Sequence, residues 1–377
     1  MKKIIVALVL TVLVFSAVMG LFGDNTGVET GVSIVVPAYA GKGGVDTSAA
    51  AAVLCDAESG RLLYAESKDT PLPMASTTKI MTAAVAIEYG DVDAVTTIGA
   101  EAVGVEGSSV YLTEGERFTV KELLYALLLE SGNDAAVALA TAVAGDTDSF
   151  VKLMNRKAAE LGLVSTVFKN PHGLSAEGHY TTAAELAAIT AYALRLPLFE
   201  EIVSTVSMCL EGEGHAPRYL VNHNKLLRSY EGLIGVKTGY TLAAGRCLVT
   251  AARRNGMTLI AVTLNDRRDW EDHTALLDYG FSAFKRVKVC SKGEKAAVPV
   301  KGGKKASVLA IGGEDVWICA PTDSEITRLY SVDAVEAPVE KGQGIAKLKV
   351  YENGDLVMEI ELMAKDAVPI KKKGFFN

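Results

Sequence analysis

Three short clusters in this 377-residue chain carry side chains capable of covalent chemistry. In Pro73-Met74-Ala75-Ser76-Thr77-Thr78-Lys79-Ile80 a serine and a lysine stand three residues apart. At a helix start that spacing puts both on one face, within reach of each other. A serine hydroxyl is a poor nucleophile until a neighbouring base takes its proton. Lysine can be that base when burial or a second cation destabilises its ammonium. The helix N-terminus adds positive potential and free backbone N–H groups beside Ser76. Taken alone, the pair reads by default as a solvated helix face.

The second cluster, Glu130-Ser131-Gly132-Asn133-Asp134, joins two helical patterns, so its polar side chains are expected to project from a turn. By itself it is explained by a helix cap from Ser131 or Asn133. In the third, Gly235-Val236-Lys237-Thr238-Gly239-Tyr240-Thr241, a strand ending in Lys237-Thr238-Gly239 offers a cation, a hydroxyl and a glycine. The missing side chain lets a substrate backbone lie against the strand edge. By itself this too is a strand followed by a turn.

Together, and in this order, S-x-x-K, S-x-N and K-T-G are the motif set of penicillin-binding proteins and class A β-lactamases. Residues 73–82, 150–155 with 159–162, 170–174, 235–241 and 244–248 narrow the likeness. Over about residues 45–285 the chain resembles the low-molecular-weight D-alanyl-D-alanine carboxypeptidases. The resemblance implies an α+β catalytic domain of the penicillin-binding-protein/β-lactamase type, an antiparallel sheet with a helical cluster, needing no metal or cofactor. It implies a peptidoglycan stem peptide ending in D-Ala-D-Ala as substrate and β-lactams as inhibitors. It makes Ser76 the acylated nucleophile and Lys79 its base, kept neutral partly by Lys237. Ser131 would relay a proton to the leaving nitrogen, and Asn133 would bind the substrate amide. Lys237 and Thr238 would hold the terminal carboxylate, and Gly239 would admit the substrate backbone. The N–H groups of Ser76 and Tyr240 would form the oxyanion hole. Two features depart from the family: Tyr240 stands where some relatives have histidine, and no amphipathic helix follows the C-terminal β segments.

The elements needed to position these clusters can be read from periodicity. Residues 49–57 and 61–65 read as a β-hairpin. Helical patterns cover 77–89, closed by Gly90, then 120–129, 135–143, 149–161 and 182–194. Strand-like runs follow at 233–236, 247–252 and 258–264, and a helix over 270–284 should pack across them. The hairpin, helical middle and late strands predict that the terminal segments share one sheet. The catalytic domain is accordingly set at 41–285. Beyond it, short β-type runs among Lys-Gly clusters mark a β-sandwich-like domain at 286–367, then a basic tail at 368–377.

Residues 1–40 read as a secretory signal peptide, with Lys2 and Lys3 before an uncharged apolar run at 4–22. Small residues flanking Tyr39 suggest cleavage after Ala40; an uncleaved anchor is the alternative. Either way the site of action is extracytoplasmic, at the cell wall or the outer face of the membrane. The net charge of -7 is uneven, with 21 basic and 30 acidic residues in 41–285 against 15 and 13 in 286–377. An acidic main domain excludes nucleic acid as a natural partner. The basic tail allows peripheral contact with an anionic membrane.

Five cysteines without a C-x-x-C pair read as buried free thiols, and five histidines without metal-ligand spacing read mostly as loop or surface residues. No G-x-S-x-G or Walker A motif occurs. Other readings on the same fold are a D,D-endopeptidase, a transpeptidase and a β-lactamase. The last lacks E-x-x-L-N between Ser131 and Lys237. A non-catalytic cell-wall binding protein is a fourth reading, which the intact Ser76, Lys79, Ser131 and Lys237 oppose.

Overall fold

The computed structural model describes residues 32–34, 45–211 and 214–371. The candidate export segment, its cleavage point at Ala40 and most of the basic tail lie outside the described residues. The chain divides into one unit formed by residues 38–282 and another formed by 1–37 with 283–377.

The larger unit is built on an antiparallel sheet of β1 (Ala51–Asp56), β2 (Leu62–Glu66), β3 (Leu233–Thr241), β4 (Gly245–Arg254) and β5 (Met257–Leu264). Their order is β2-β1-β5-β4-β3, so the first hairpin pairs with the late strands as expected. Every residue of β1 is buried, which a strand covered on both faces requires. Helix α5 (Ala183–Ala193) is buried along its whole length and packs against β1 and β5. Helix α7 (Asp269–Ala283) lies on the face of Leu54 and Leu259: a Cβ at its Gly280 would come within 2.7 Å of both side chains.

The remaining helices are α1 (Lys79–Tyr89), α2 (Val120–Leu129), α3 (Asn133–Ala144), α4 (Thr147–Glu160) and α6 (Pro197–Val203). Their ends follow local chemistry. Thr119 and Glu122 form a reciprocal capping box at α2, Asp146 caps α4, and Thr182 caps α5. Such a cap contributes about 1 kcal/mol. Helix α1 packs against α2, α3, α4 and α5, which places it at the centre of the helical cluster.

The smaller unit is all-β, as its alternating pattern predicts. Strands β6 (Phe284–Cys290), β7 (Lys295–Lys301), β8 (Ser307–Ile311), β9 (Val316–Pro321), β10 (Ile326–Ser331), β11 (Gly344–Glu352) and β12 (Asp355–Ala364) supply it. The main sheet runs β10-β11-β12-β8-β7 and then Val335–Glu336, with Val32–Ile34 also paired to β12. Strands β6 and β9 pair separately. Val289, Val298, Leu348, Val350, Ile360 and Leu362 are among the buried residues of the unit's core.

Two expectations need correction. Cys209 is exposed, whereas the other four cysteines are buried; all five are free thiols. Among the histidines, His179 and His273 are buried. His273 Nδ1 and Nε2 lie 2.7 and 3.0 Å from the hydroxyls of Thr250 and Thr263, which supply polar partners within the core.

Candidate active site

The serine–lysine cluster sits where the chain enters α1. Residues Ala75–Thr78 form a single 3₁₀ turn that leads into the helix at Lys79. Ala75 has φ +47°, a left-handed conformation costing a non-glycine residue roughly 1–2 kcal/mol. The turn is held from within and from outside. Thr77 Oγ1 donates to Met74 O at 2.6 Å and Thr78 Oγ1 to Ala75 O at 2.8 Å. His179 Nδ1 accepts from Lys169 N at 3.0 Å, which leaves the proton on Nε2 to donate to Thr78 Oγ1 at 2.8 Å. Burial, with Lys169 nearby, lowers the His179 pKa to about 4, so this chain of bonds keeps one polarity at neutral pH.

Lys79 is wholly buried at the start of α1. Its Nζ lies 3.1 Å from Ser76 Oγ, 2.7 Å from Asn133 Oδ1 and 2.5 Å from His172 O. Burial first, and then the charge of Lys237, push its pKa well below the ordinary lysine value, against an opposing pull from Asp134. A neutral amine has two N–H donors and one lone pair. Asn133 Oδ1 and His172 O can only accept, so they take the two donors and leave the lone pair for the Ser76 hydroxyl. The surroundings therefore favour the base form and also orient it. His172 itself is kept neutral, lowered to about 4 by burial and then by Lys79.

The Ser131–Asn133 cluster differs from the expected turn. Only Glu130, Ser131 and Gly132 lie between the helices; Asn133 is the first residue of α3. Gly132 occupies the N-cap position and no side chain caps the helix, so neither Ser131 nor Asn133 is a cap. Ser131 has φ +62° and is nearly buried, a strained backbone that sets its side-chain direction. Among the described residues its hydroxyl makes no hydrogen bond to Ser76, Lys79 or Lys237. Asn133 is fixed at both ends of its amide: Oδ1 faces Lys79, while Nδ2 donates to Glu106 O at 2.5 Å. Asp134 accepts from Ser109 Oγ at 2.6 Å and from the backbone N–H groups of Val110 and Leu112 at 3.0 and 3.1 Å. It thereby ties residues 109–112 to the start of α3.

Strand β3 brings the third cluster, and it continues beyond Lys237-Thr238-Gly239 to Thr241 instead of ending there. It is the outer strand of its sheet, with an irregularity between Leu233 and Gly235 shortly before Lys237. Bulges at such positions re-aim a strand beside a site. Lys237 is buried, donates to Thr238 O at 3.1 Å, and is lowered to about 7 by burial, with Glu130 opposing. Gly239 faces the nucleophile turn: a Cβ there would lie 3.0 Å from Ser76 N and 3.2 Å from Thr77 N. Thr238 is partly exposed, and Tyr240 is 62% exposed at the strand edge.

The structure thus joins Ser76, Lys79 and Asn133 directly and sets Gly239 against them. Lys237 acts on Lys79 through its charge, whereas the Ser131 hydroxyl makes no hydrogen bond to these residues among the described ones. The carbonyl of His172, the His179 relay and the Asp134 clasp join the site without a motif that marks them in the sequence. No spacing rule marks a backbone carbonyl, although the Asn170-Pro171-His172-Gly173-Leu174 segment had already stood out.

Residues 38–268 match the family model described as D-alanyl-D-alanine carboxypeptidase, and residues 284–369 match penicillin-binding protein 5, C-terminal domain. D-alanyl-D-alanine carboxypeptidase DacF of Bacillus subtilis is 34% identical over 87% of this chain and 87% of its own length. DacC of Escherichia coli is 32% identical over 86% and 85%. The crystal structure of penicillin binding protein 5 from Haemophilus influenzae superposes with TM-score 0.78 at 30% identity, covering 86% of this chain and 98% of that one. With its three motifs folded into one serine–lysine site, the chain belongs to the D-alanyl-D-alanine carboxypeptidase family of serine hydrolases.

Proposed function

We propose that this carboxypeptidase removes the terminal D-alanine from peptidoglycan stem peptides through an acyl-enzyme on Ser76. The observation that carries the reading is Lys79: a buried amine, pushed well below the ordinary lysine pKa by burial and Lys237, 3.1 Å from the Ser76 hydroxyl, its other neighbours both acceptors. Lys79 Nζ takes the Ser76 proton as Oγ attacks the carbonyl of the penultimate residue. The N–H groups of Ser76 and Tyr240 stabilise the oxyanion. As the tetrahedral adduct collapses, the D-alanine nitrogen receives a proton through Ser131. A water then hydrolyses the ester, its proton passing to Lys79.

Lys237 and Thr238 hold the terminal carboxylate by charge-assisted contact. Gly239 lets the peptide lie close to β3. Asn133 has spent one N–H on Glu106 O and keeps the second for a substrate carbonyl. A β-lactam acylates the same serine and leaves an adduct that water does not readily clear.

The same reading takes residues 1–40 as an export signal or anchor, 41–285 as the catalytic domain and 286–367 as an accessory β domain. The basic tail at 368–377 would give loose contact with an anionic surface. Among the described residues no helix is long and apolar enough to cross a membrane.

The test is mass spectrometry of the protein incubated with a pentapeptide ending in D-Ala-D-Ala, then with penicillin. Loss of one alanine and a lasting penicillin adduct on Ser76 are expected. Ser76→Ala should abolish both while keeping the fold, and Lys79→Ala should slow acylation by about 10²- to 10⁴-fold. Normal turnover by either variant refutes the mechanism. Cleavage of cross-linked peptides in preference to pentapeptide would make it an endopeptidase.

A further inference from the structure

The residue just before Ser131 is held from outside its own helix, and none of the roles assigned above uses it. Glu130 closes α2. Its Oε1 accepts from Val221 N at 2.5 Å and its Oε2 from His223 Nε2 at 3.1 Å. Both donors belong to a segment that is itself anchored. Asn222 N donates to Val206 O at 2.9 Å, and Asn222 Nδ2 to Val203 O and Thr205 O at 3.1 and 3.2 Å. Asn224, also buried, accepts from Leu226 N at 3.1 Å. The carboxylate therefore sits in a fixed clamp. Directly after it the backbone turns through Ser131 at φ +62°. A left-handed residue persists only where its surroundings over-determine it. The clamp restrains Ser131 from one side, and the bond from Asn133 N to Ser108 O at 2.7 Å restrains it from the other.

The same carboxylate reaches Lys237 through its charge. Burial pushes the Lys237 amine down to about 7, and Glu130 pulls the other way. Lys79 on α1 is the neighbouring cation, and Asp134 on α3 acts on Lys79. On the other elements that touch β3, Glu200 pairs with Arg253, Glu201 with Lys121, Arg246 with Asp269 and Arg254 with Asp278. Lys225 and Arg228 are exposed. Glu130 is thus the anion that opposes loss of the Lys237 charge. One carboxylate serves both Ser131 and Lys237, the two groups placed at the substrate's last residue, an argument that rests on the function proposed above.

We propose that Glu130 is a positioning residue of the reaction: clamped by Val221 and His223, its carboxylate holds the backbone that aims Ser131 and serves Lys237 as counter-charge until the substrate carboxylate arrives.

The test measures kcat and kcat/KM against pH for D-alanine release from a pentapeptide ending in D-Ala-D-Ala. Glu130→Gln keeps an acceptor for Val221 N and an amide for His223 but removes the charge. Its alkaline limb in kcat/KM should move to lower pH, because Lys237 discharges earlier without its anion. At neutral pH kcat/KM should fall roughly two- to fivefold, the range of a partly exposed ion pair. Its kcat should hold, since the bound substrate supplies its own carboxylate. Glu130→Ala also empties the clamp, and its kcat should fall on the order of 10- to 100-fold as Ser131 loses its aim. A merely structural role would lower the rates of Glu130→Gln without moving the limb. A limb that stays in place in Glu130→Gln, or a folded Glu130→Ala with the kcat of Glu130→Gln, overturns the proposal and leaves the carboxypeptidase reading intact. If Glu130→Ala does not fold, the limb of Glu130→Gln alone supports or refutes it. Wild-type protein that releases no D-alanine and forms no penicillin adduct on Ser76 overturns both.

Discussion

Gly173→Ala is a sharp test of whether the nucleophile turn is braced from outside. Gly173 sits at φ +92°, and a Cβ built there lies 2.0 Å from Ala75 O and 2.9 Å from Ser76 N. Ordinary contact begins near 3.4 Å, so the Ala75 carbonyl or the Gly173 loop must retreat by about 1.4 Å. The methyl meets backbone, which has no rotamer to escape into. Left-handed strain adds roughly 1–2 kcal/mol. A misplacement of about 1 Å at a reacting group costs on the order of 100-fold in rate, so acylation by a fluorescent penicillin should slow by about that factor. Gly178→Ala is the matched control. It has φ +77°, but its Cβ would meet only the flexible Lys169 side chain, at 3.1 Å. Both variants should lose stability to left-handed strain in thermal unfolding, Gly173→Ala more because of its backbone clash, and only Gly173→Ala should lose acylation. A folded Gly173→Ala protein acylating at the wild-type rate would refute the bracing argument, and equal slowing in both variants would assign the effect to strain alone.

Other outcomes follow from the same geometry. Lys237→Gln removes a cation that depresses Lys79, so the acidic limb of the kcat/KM profile should move to higher pH; a limb that stays put removes Lys237 from the account. The lost carboxylate contact should also cost about 10- to 100-fold in kcat/KM, from roughly 1.5–3 kcal/mol for a charged hydrogen bond. In the wild-type protein Lys237 loses its charge as pH rises through about 7. Carboxylate capture should therefore weaken above that pH in kcat/KM, while kcat, measured with the carboxylate bound, holds to higher pH. Asp134→Ala leaves the buried N–H groups of Val110 and Leu112 unpaired and should destabilise the fold by about 2–5 kcal/mol in urea unfolding. An unchanged midpoint would show that residues 109–112 do not depend on Asp134.

Much of this architecture was legible because the catalytic clusters fall at ends or edges of strongly patterned elements. The apolar periodicity of residues 79–89 and 120–129 fixes two helices, and the mostly apolar, β-branched run at 258–264 fixes a central strand. The details that escaped depend on tertiary contact. The extension of β3 through Thr241 relies on pairing with β4 as far as Gly245, although Gly239 and the polar residues around it read locally as a turn. The entry of Asn133 into α3 depends on its backbone N–H donating to Ser108 O at 2.7 Å, a partner 25 residues away. Sequence alone reads most of the histidines as loop or surface residues; the burial of His179 is hidden because its neighbours Thr78 and Phe168 come from other parts of the chain.

A bare lysine three residues from a serine does not make a base, because in water its ammonium holds the proton. What changes this is the closing of three distant segments around one amine. Helix α1 removes Lys79 from solvent, β3 brings a second buried cation, and residues 133 and 172 present oxygens to two of the amine's three directions. Any one of these alone leaves a defect. Burial without acceptors strands a polar group, and acceptors without burial leave the ammonium charged. Acceptors in all three directions would instead satisfy an ammonium and leave no lone pair open to the Ser76 hydroxyl. The motif order along the chain is thus the linear trace of a spatial requirement: a discharged amine with one open valence, aimed at one hydroxyl.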